Sequence, residues 1–219
     1  MNTERSVTIS RLLNVLALLA LLGVLAGSLH LQFGVGEQPC PLCLVQRSGM
    51  FGLAIGPAMN LWWGIRARHY ALSILAACAG SAGSIRQVLL HIYTPGDPGY
   101  GPAFAGYHLY TWALITFIIA IVGCAVLLLW ETPLLAHDRG IRDASPRMRI
   151  LAFTTVFWIF IDLLIVAISV IPECQAGMCP DDPANIAGVG DSAGWILVLC
   201  PVILAFILGL IANRKILRD

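Results

Sequence analysis

Cys40-Pro41-Leu42-Cys43 is a C-x-x-C placed where one apolar run has ended and another begins, and Arg47 follows it by four residues. Pro41 suits the first turn of a helix, because the N–H it lacks would be unpaired there anyway. That predicts Cys40 near an N-cap and Cys43 inside the first turn. Free backbone N–H groups and the positive end of the helix dipole then favour a thiolate. Cys40, Cys43 and Arg47 fall on one helix face. A guanidinium there lowers the energy of a thiolate and can hydrogen-bond a carbonyl oxygen of a bound acceptor. The chemistry this suits is electron transfer between a water-soluble thiol and a lipid-soluble acceptor. Two plainer readings stand beside it: a structural disulfide, or half of a four-cysteine zinc site with the C-x4-C pair below.

The chain has seven cysteines. Cys78, Cys124 and Cys200 fall inside apolar runs, where cysteine packs as a small hydrophobe. Cys174 and Cys179 form a second pair in a Gly- and Pro-containing segment.

The elements that must position these residues are membrane spans. Of 219 residues, 58% are hydrophobic and 11% charged, far outside the range of soluble domains. A spanning helix needs roughly 20 apolar residues. Six stretches meet this: 12–32, 44–65, 70–92, 109–130, 150–171 and 192–212. Pro57 and Pro201 lie inside two of them, as kinked spans allow. The first run is longer than a signal-peptide core and is expected to be a retained helix. With both termini cytoplasmic, eleven of the thirteen Lys and Arg residues fall on the inner side, leaving Arg47 and Arg86 within helices. The outer segments are then neutral or acidic: Glu37, Asp97, Glu173, Asp181, Asp182 and Asp191. Both cysteine pairs fall outside, in the compartment that permits disulfides in bacteria. The net charge of +1 gives no sign of nucleic-acid binding.

Outer loop two, 93–108, is dense in Gly and Pro and is expected to form a turn-rich cap without a helix. Outer loop three, 172–191, is expected to be turn-like and mobile. Arg86 and Asp162 are ionisable groups inside spans, which normally face a bundle interior or a wet cavity. An ion pair between them would tie the last hairpin to the rest. The other readings of Asp162 are a protonated carboxyl or a step in a proton route. His91 and His108 flank outer loop two, where a histidine is either a hydrogen-bonded anchor or a catalyst.

Cys40-Pro-Leu-Cys43 with Gln46-Arg47, Arg86-Gln87-Val88-Leu89-Leu90-His91, and Tyr107-His108-Leu109-Tyr110-Thr111-Trp112 together resemble the bacterial disulfide bond formation protein B (DsbB) family. The resemblance covers about residues 10–130. It implies an all-α, four-helix membrane bundle in the bacterial inner membrane, with ubiquinone or menaquinone bound beside the C-x-x-C. It also implies a periplasmic DsbA-like thiol oxidoreductase as partner. Cys40 and Cys43 would be the quinone-coupled pair and Arg47 would contact the quinone, with Arg86 and His91 as further contacts. Arg86 and His91 are about 140° apart around a helix, so they need not face one site.

Two departures stand out. Members of that family usually carry a second cysteine pair between spans three and four, and residues 93–108 hold none. Two additional spans follow instead, with Cys174 and Cys179 between them. The expectation is that this pair takes over the missing one, passing electrons from a periplasmic dithiol to Cys40–Cys43 and on to quinone; the alternative is a staple of its own loop. In this division Cys40 exchanges with the incoming thiol and Cys43 meets the quinone. The expected organisation is a four-helix bundle at 1–130, a cytoplasmic connection at 131–149 and an additional hairpin at 150–219. The competing functions are a vitamin K epoxide reductase-like enzyme run in the other direction, and a membrane scaffold or transporter with structural disulfides.

Overall fold

The computed structural model describes residues 2–93, 96, 99–101, 103–174, 177, 179–180 and 183–217. Most of the Gly/Pro run at 94–102, the interior of the second cysteine loop, Asp181, Asp182 and Arg218 lie outside the described residues.

The fold is all-α. Helix α1 (Thr3–His30) continues through a π-turn (Leu31–Val35). It is followed by α2 (Pro41–Trp63) and α3 (Ala67–Tyr93). A two-stranded hairpin, β1 (Ala103–Phe104) and β2 (Tyr107–His108), leads into α4 (Leu109–Leu128). After a short α5 (Glu131–Leu134) and a 3-10 turn at 140–142 come α6 (Pro146–Cys174) and α7 (Asp191–Ile216). Among the described residues five helices are long and apolar enough to cross a membrane: α1, α3, α4, α6 and α7. The chain is thus a multi-pass membrane protein. Helix α2, the sixth expected span, has spanning length at 23 residues. Its composition falls short because Gln46, Arg47, Ser48 and Asn60 dilute the apolar run. It lies inside the bundle, where such groups find partners.

Most helices outrun the apolar stretches that announced them. Helix α1 starts near residue 3 rather than 12, carrying Ser10, Arg11 and Asn14 into the interior. Their polar atoms are used there. Asn14 donates to Tyr70 Oη at 2.9 Å and accepts from Asn60 at 3.0 Å. Arg11 pairs with Asp138, whose carboxylate also accepts from the backbone N–H of Ile65 and Gly140. Helix α6 runs through Pro172 to Cys174, longer than the expected 150–171. Near a C-terminus the carbonyl freed by a proline costs little.

Helix α1 is shared by two packing units. It contacts α2 on one side and α6 and α7 on another. Leu18, Leu22 and Leu25 of α1 are fully buried at this junction. Helices α2 and α3 approach closely at Gly49 and Gly80, where a Cβ on Gly49 would meet the Gly80 Cα at 2.8 Å. Fully buried Phe117 of α4 covers that crossing. Of the cysteines expected to pack, Cys124 is buried, whereas Cys78 and Cys200 are exposed on the outer surface of the bundle.

One end of the bundle carries both cysteine pairs. There the segment 185–190 runs along residues 33–38. Ile186 N–H donates to Gly36 O (3.0 Å), Val189 N–H to Phe33 O (2.9 Å) and Gly190 N–H to Gly34 O (3.1 Å). Gln38 N–H donates to Asn185 Oδ1. The expected turn-rich cap of loop two contains the β1–β2 hairpin, turned at Ala105-Gly106 with both residues at positive φ. That is the two-residue turn suited to tightly twisted strands.

Candidate functional site

Cys40 is the N-cap residue of α2, with Pro41 in the first turn. Its extended backbone (φ −71°, ψ 162°) aims Sγ back at the helix, where the Cys43 backbone N–H donates to it at 3.1 Å. Cys40 and Cys43 form a disulfide, and so do Cys174 and Cys179. All four sulfurs are therefore engaged in pairs, an arrangement unlike a shared four-thiolate metal site. Among the described residues no three His, Cys, Asp or Glu side chains cluster to hold a metal.

The two sulfurs of the first pair differ in setting. Cys40 is buried at 5% exposure. Cys43 is half-buried and lines a cavity of about 660 Å³, a volume in the range of small-molecule sites. Arg47 lines the same cavity, and is fixed rather than dangling. One guanidinium nitrogen donates to Gln32 Oε1 at 2.6 Å and another to the Ser28 carbonyl at 3.1 Å. Helix α1 and its π-turn thus hold the cation beside the disulfide. Because the turn there is π rather than α, residues 31–35 supply extra backbone where the cavity, Arg47 and segment 185–190 meet.

Gln87 of α3 contacts both sulfurs, with Nε2 at 3.4 Å from Cys40 Sγ and 3.9 Å from Cys43 Sγ. Gln46 orients it by donating from Nε2 to Gln87 Oε1 at 2.7 Å. Both amides are buried. Gln87 lies next to Arg86 in sequence but about 100° away around the helix. Arg86 is exposed and lines a separate apolar groove on the outside of α3 with Leu89, Leu90 and Tyr93. It makes no ion pair with Asp162, which is buried on α6. His91 stacks on Tyr110 at 5.1 Å, and His108 stacks on Tyr110 at 5.3 Å. Tyr110 lines the cavity, so His91 stands behind the wall rather than in it. The structure therefore brings Cys40, Cys43 and Arg47 together, puts His91 one layer back, and leaves Arg86 outside.

Sequence reasoning met Gln87 inside a motif but gave it no role. A signal existed: Ser73, Ala77, Gly80, Ser84 and Gln87 follow a 4-3-4-3 spacing, all are buried, and Arg86 lies off that seam. Glu37 stood out only as an outer acidic residue and His30 only as a histidine at a span end, while Gln32 and Trp195 carried no local signal, Trp195 reaching the cavity from the far end of the chain.

The rest of the wall is apolar or small. Gly23 and Gly27 of α1 line it, and a Cβ on either would meet nothing within 4 Å. Phe104 and Trp112 close it from the hairpin side, with Trp112 Nε1 donating to Phe104 O at 2.9 Å. Glu37 borders it, and partial burial pushes this carboxyl above its usual range. A flat head group bearing two carbonyl oxygens and an apolar tail fits these walls: a cation and amide donors at one end, a greasy glycine-faced side at the other.

Comparison with known proteins agrees with this geometry. Residues 10–98 match the family model of disulfide bond formation protein DsbB. A disulfide bond formation protein B of Burkholderia pseudomallei is 36% identical over 107 residues, 47% of this chain and 60% of that protein. That of Verminephrobacter eiseniae is 37% identical over 100 residues, 42% and 55% of the two chains. The one from Pseudomonas syringae pv. tomato is 35% identical over 75 residues, 32% and 44%. The chain thus spans about 60% or less of the length of these relatives. No solved structure matches it. Residues 10–98, which hold the C-x-x-C, are thus similar to the DsbB family, and the α6–α7 hairpin lies beyond the matched region.

Proposed function

We propose that this chain is a thiol:quinone oxidoreductase of the bacterial inner membrane, with both termini cytoplasmic and both cysteine pairs facing the periplasm. It would oxidise a periplasmic dithiol protein of the DsbA kind. The observation that carries this reading is the shared cavity of Cys43 and Arg47, with Gln87 on the sulfurs behind it. Quinone, when bound, supplies the sink for two electrons and takes up two protons as it leaves as quinol. Everything else is performed by the chain.

An incoming thiolate opens the Cys40–Cys43 disulfide by attack on Cys40, forming a mixed disulfide there and releasing Cys43 as a thiolate. The first-turn position of Cys43, the Arg47 charge and the Gln87 amide all stabilise that thiolate. Arg47, already oriented by Gln32 and Ser28, would also stabilise negative charge developing on the oxygen of an acceptor in the cavity. A second thiolate resolves the mixed disulfide and leaves Cys40 as a thiol. The Cys40–Cys43 dithiol would then give up two electrons to the acceptor held in the cavity as its own disulfide re-forms.

The Cys174–Cys179 pair is the proposed source of the incoming thiolate, having itself been reduced by the partner protein. Ile186, which is pinned, lies seven positions after Cys179, a leash of at most about 25 Å. Cys40 is buried, so attack on it needs segment 36–39 to open. That segment is held by bonds from Ile186 and Asn185, in the same loop that carries Cys179. Loop approach and exposure of Cys40 are thereby linked.

The test is stopped-flow oxidation of a reduced periplasmic dithiol protein by quinone, catalysed by wild type and by Cys174→Ala/Cys179→Ala. The relay predicts that the double variant loses at least tenfold in rate while its isolated Cys40–Cys43 dithiol still reduces quinone. Full speed in the double variant would eliminate the relay and leave the second pair as a loop staple.

A further inference from the structure

The α6–α7 hairpin reaches the acceptor cavity itself. Trp195, one turn into α7, lines that cavity together with His30 of α1. Their rings are stacked, with centroids 4.1 Å apart and planes 15° from parallel. His30 is buried at 7% exposure, and its Nε2 lies 2.9 Å from Asp191 Oδ1, one turn before Trp195. The helix start is locked against α1 just beside this pair. A Cβ on Gly194 would sit 2.5 Å from the Gly34 Cα. The three backbone bonds of 186–190 to 33–36 hold the preceding chain. A tryptophan near a span end serves in many proteins as an interface anchor. An anchor alone needs neither a buried histidine beneath its ring nor a carboxylate fixing that histidine.

We infer that α7 completes the acceptor site: Trp195 forms an aromatic wall against the bound quinone, and His30 and Asp191 position it. The inference rests on the thiol:quinone reading above and adds to it a specificity element outside the matched region. Trp195 is 45% exposed, so one part of its ring system remains available to a ligand or to lipid. A flat, electron-poor ring entering beside Cys43 has Trp195 on the α7 side and Trp112 on the hairpin side. Both rings offer offset or edge contacts to it. His30 and Asp191 would act through Trp195 and not on the quinone.

The experiment measures KM and kcat for a short-chain ubiquinone, with chemically reduced protein in detergent, and the Kd of the same quinone for the oxidised protein. Trp195→Ala should raise KM and Kd on the order of threefold to tenfold, as expected for one lost aromatic contact, and leave kcat at saturation unchanged. Trp195→Phe should restore most of the affinity, and Asp191→Asn should fall between it and alanine. Trp195→Leu keeps apolar bulk without an aromatic ring, and should raise KM and Kd in the same way; it serves in place of the alanine variant if that one does not fold. Wild-type KM and Kd in Trp195→Ala or Trp195→Leu would overturn the inference and make Trp195 an anchor. Wild type that neither binds nor reduces quinone would instead overturn the thiol:quinone reading.

Discussion

Gln87 offers the sharpest link between geometry and redox behaviour. Its amide nitrogen lies 3.4 Å from Cys40 Sγ and 3.9 Å from Cys43 Sγ, and Gln46 holds it in place at 2.7 Å. A disulfide sulfur is a weak acceptor and a thiolate a strong one, so this donor stabilises the reduced pair more than the oxidised one. A hydrogen bond to a charged group contributes about 1.5–3 kcal/mol. For a two-electron couple, about 1.4 kcal/mol corresponds to 30 mV. Replacing Gln87 with Leu should therefore lower the reduction potential of Cys40–Cys43 by roughly 30–60 mV. The single change would also orphan the buried Gln46 amide, so Gln46→Leu/Gln87→Leu is the cleaner variant for stability. Gln87→Glu should lower the potential further, since a carboxylate beside a thiolate repels it. The assay equilibrates each variant with dithiol redox buffers and counts alkylated Cys40 and Cys43 by mass. Potentials within about 10 mV of wild type in all three variants would refute the reasoning.

Gly27→Leu tests the cavity without disturbing packing. A Cβ there meets nothing within 4 Å, and a helix interior gains about 0.8–1 kcal/mol when Gly is replaced by a good helix former. The variant should melt no lower than wild type yet show a several-fold higher KM for quinone; an unchanged KM would mean that this side of the cavity is not used. Glu37 gives a pH dependence. Burial raises its folded pKa above the unfolded value, so the native state holds its proton more tightly. Its contribution to stability is fully present below the unfolded pKa of about 4.5 and is lost as pH rises through the folded value. Glu37→Gln should therefore melt higher than wild type at pH 7.5, by a margin that vanishes toward pH 4. Equal margins at both pH values in detergent melts would contradict this.

The residues of the first pair were legible because their chemistry is local. Pro41 at a helix start, Cys40 before it and Arg47 one turn after Cys43 are all set by spacing along a single helix. The number of long helices was legible from apolar runs, but their ends were not. Polar residues such as Asn14, Arg11 and Asp138 are carried into the bundle by partners more than a hundred positions away or on another helix. Arg86 drew notice as a charge in an apolar run, yet it faces outward, and the uncharged neighbour Gln87 faces the sulfurs. A charge is conspicuous in sequence, whereas a buried amide is told only by the face it shares with Ser84 and Gly80. The pairing of 185–190 with 33–38, and the stacking of Trp195 on His30, rest on contacts across some 150 residues. No local pattern encodes those.

The central claim is that Cys43 is the sulfur that meets the lipid-soluble acceptor. Anaerobic mixing of fully reduced protein with a short-chain quinone, followed by the loss of quinone absorbance, tests it directly. Wild type should reduce two quinones per chain, one for each reduced cysteine pair, and Cys43→Ser should reduce none. Reduction by Cys43→Ser at the wild-type rate and stoichiometry would contradict the account.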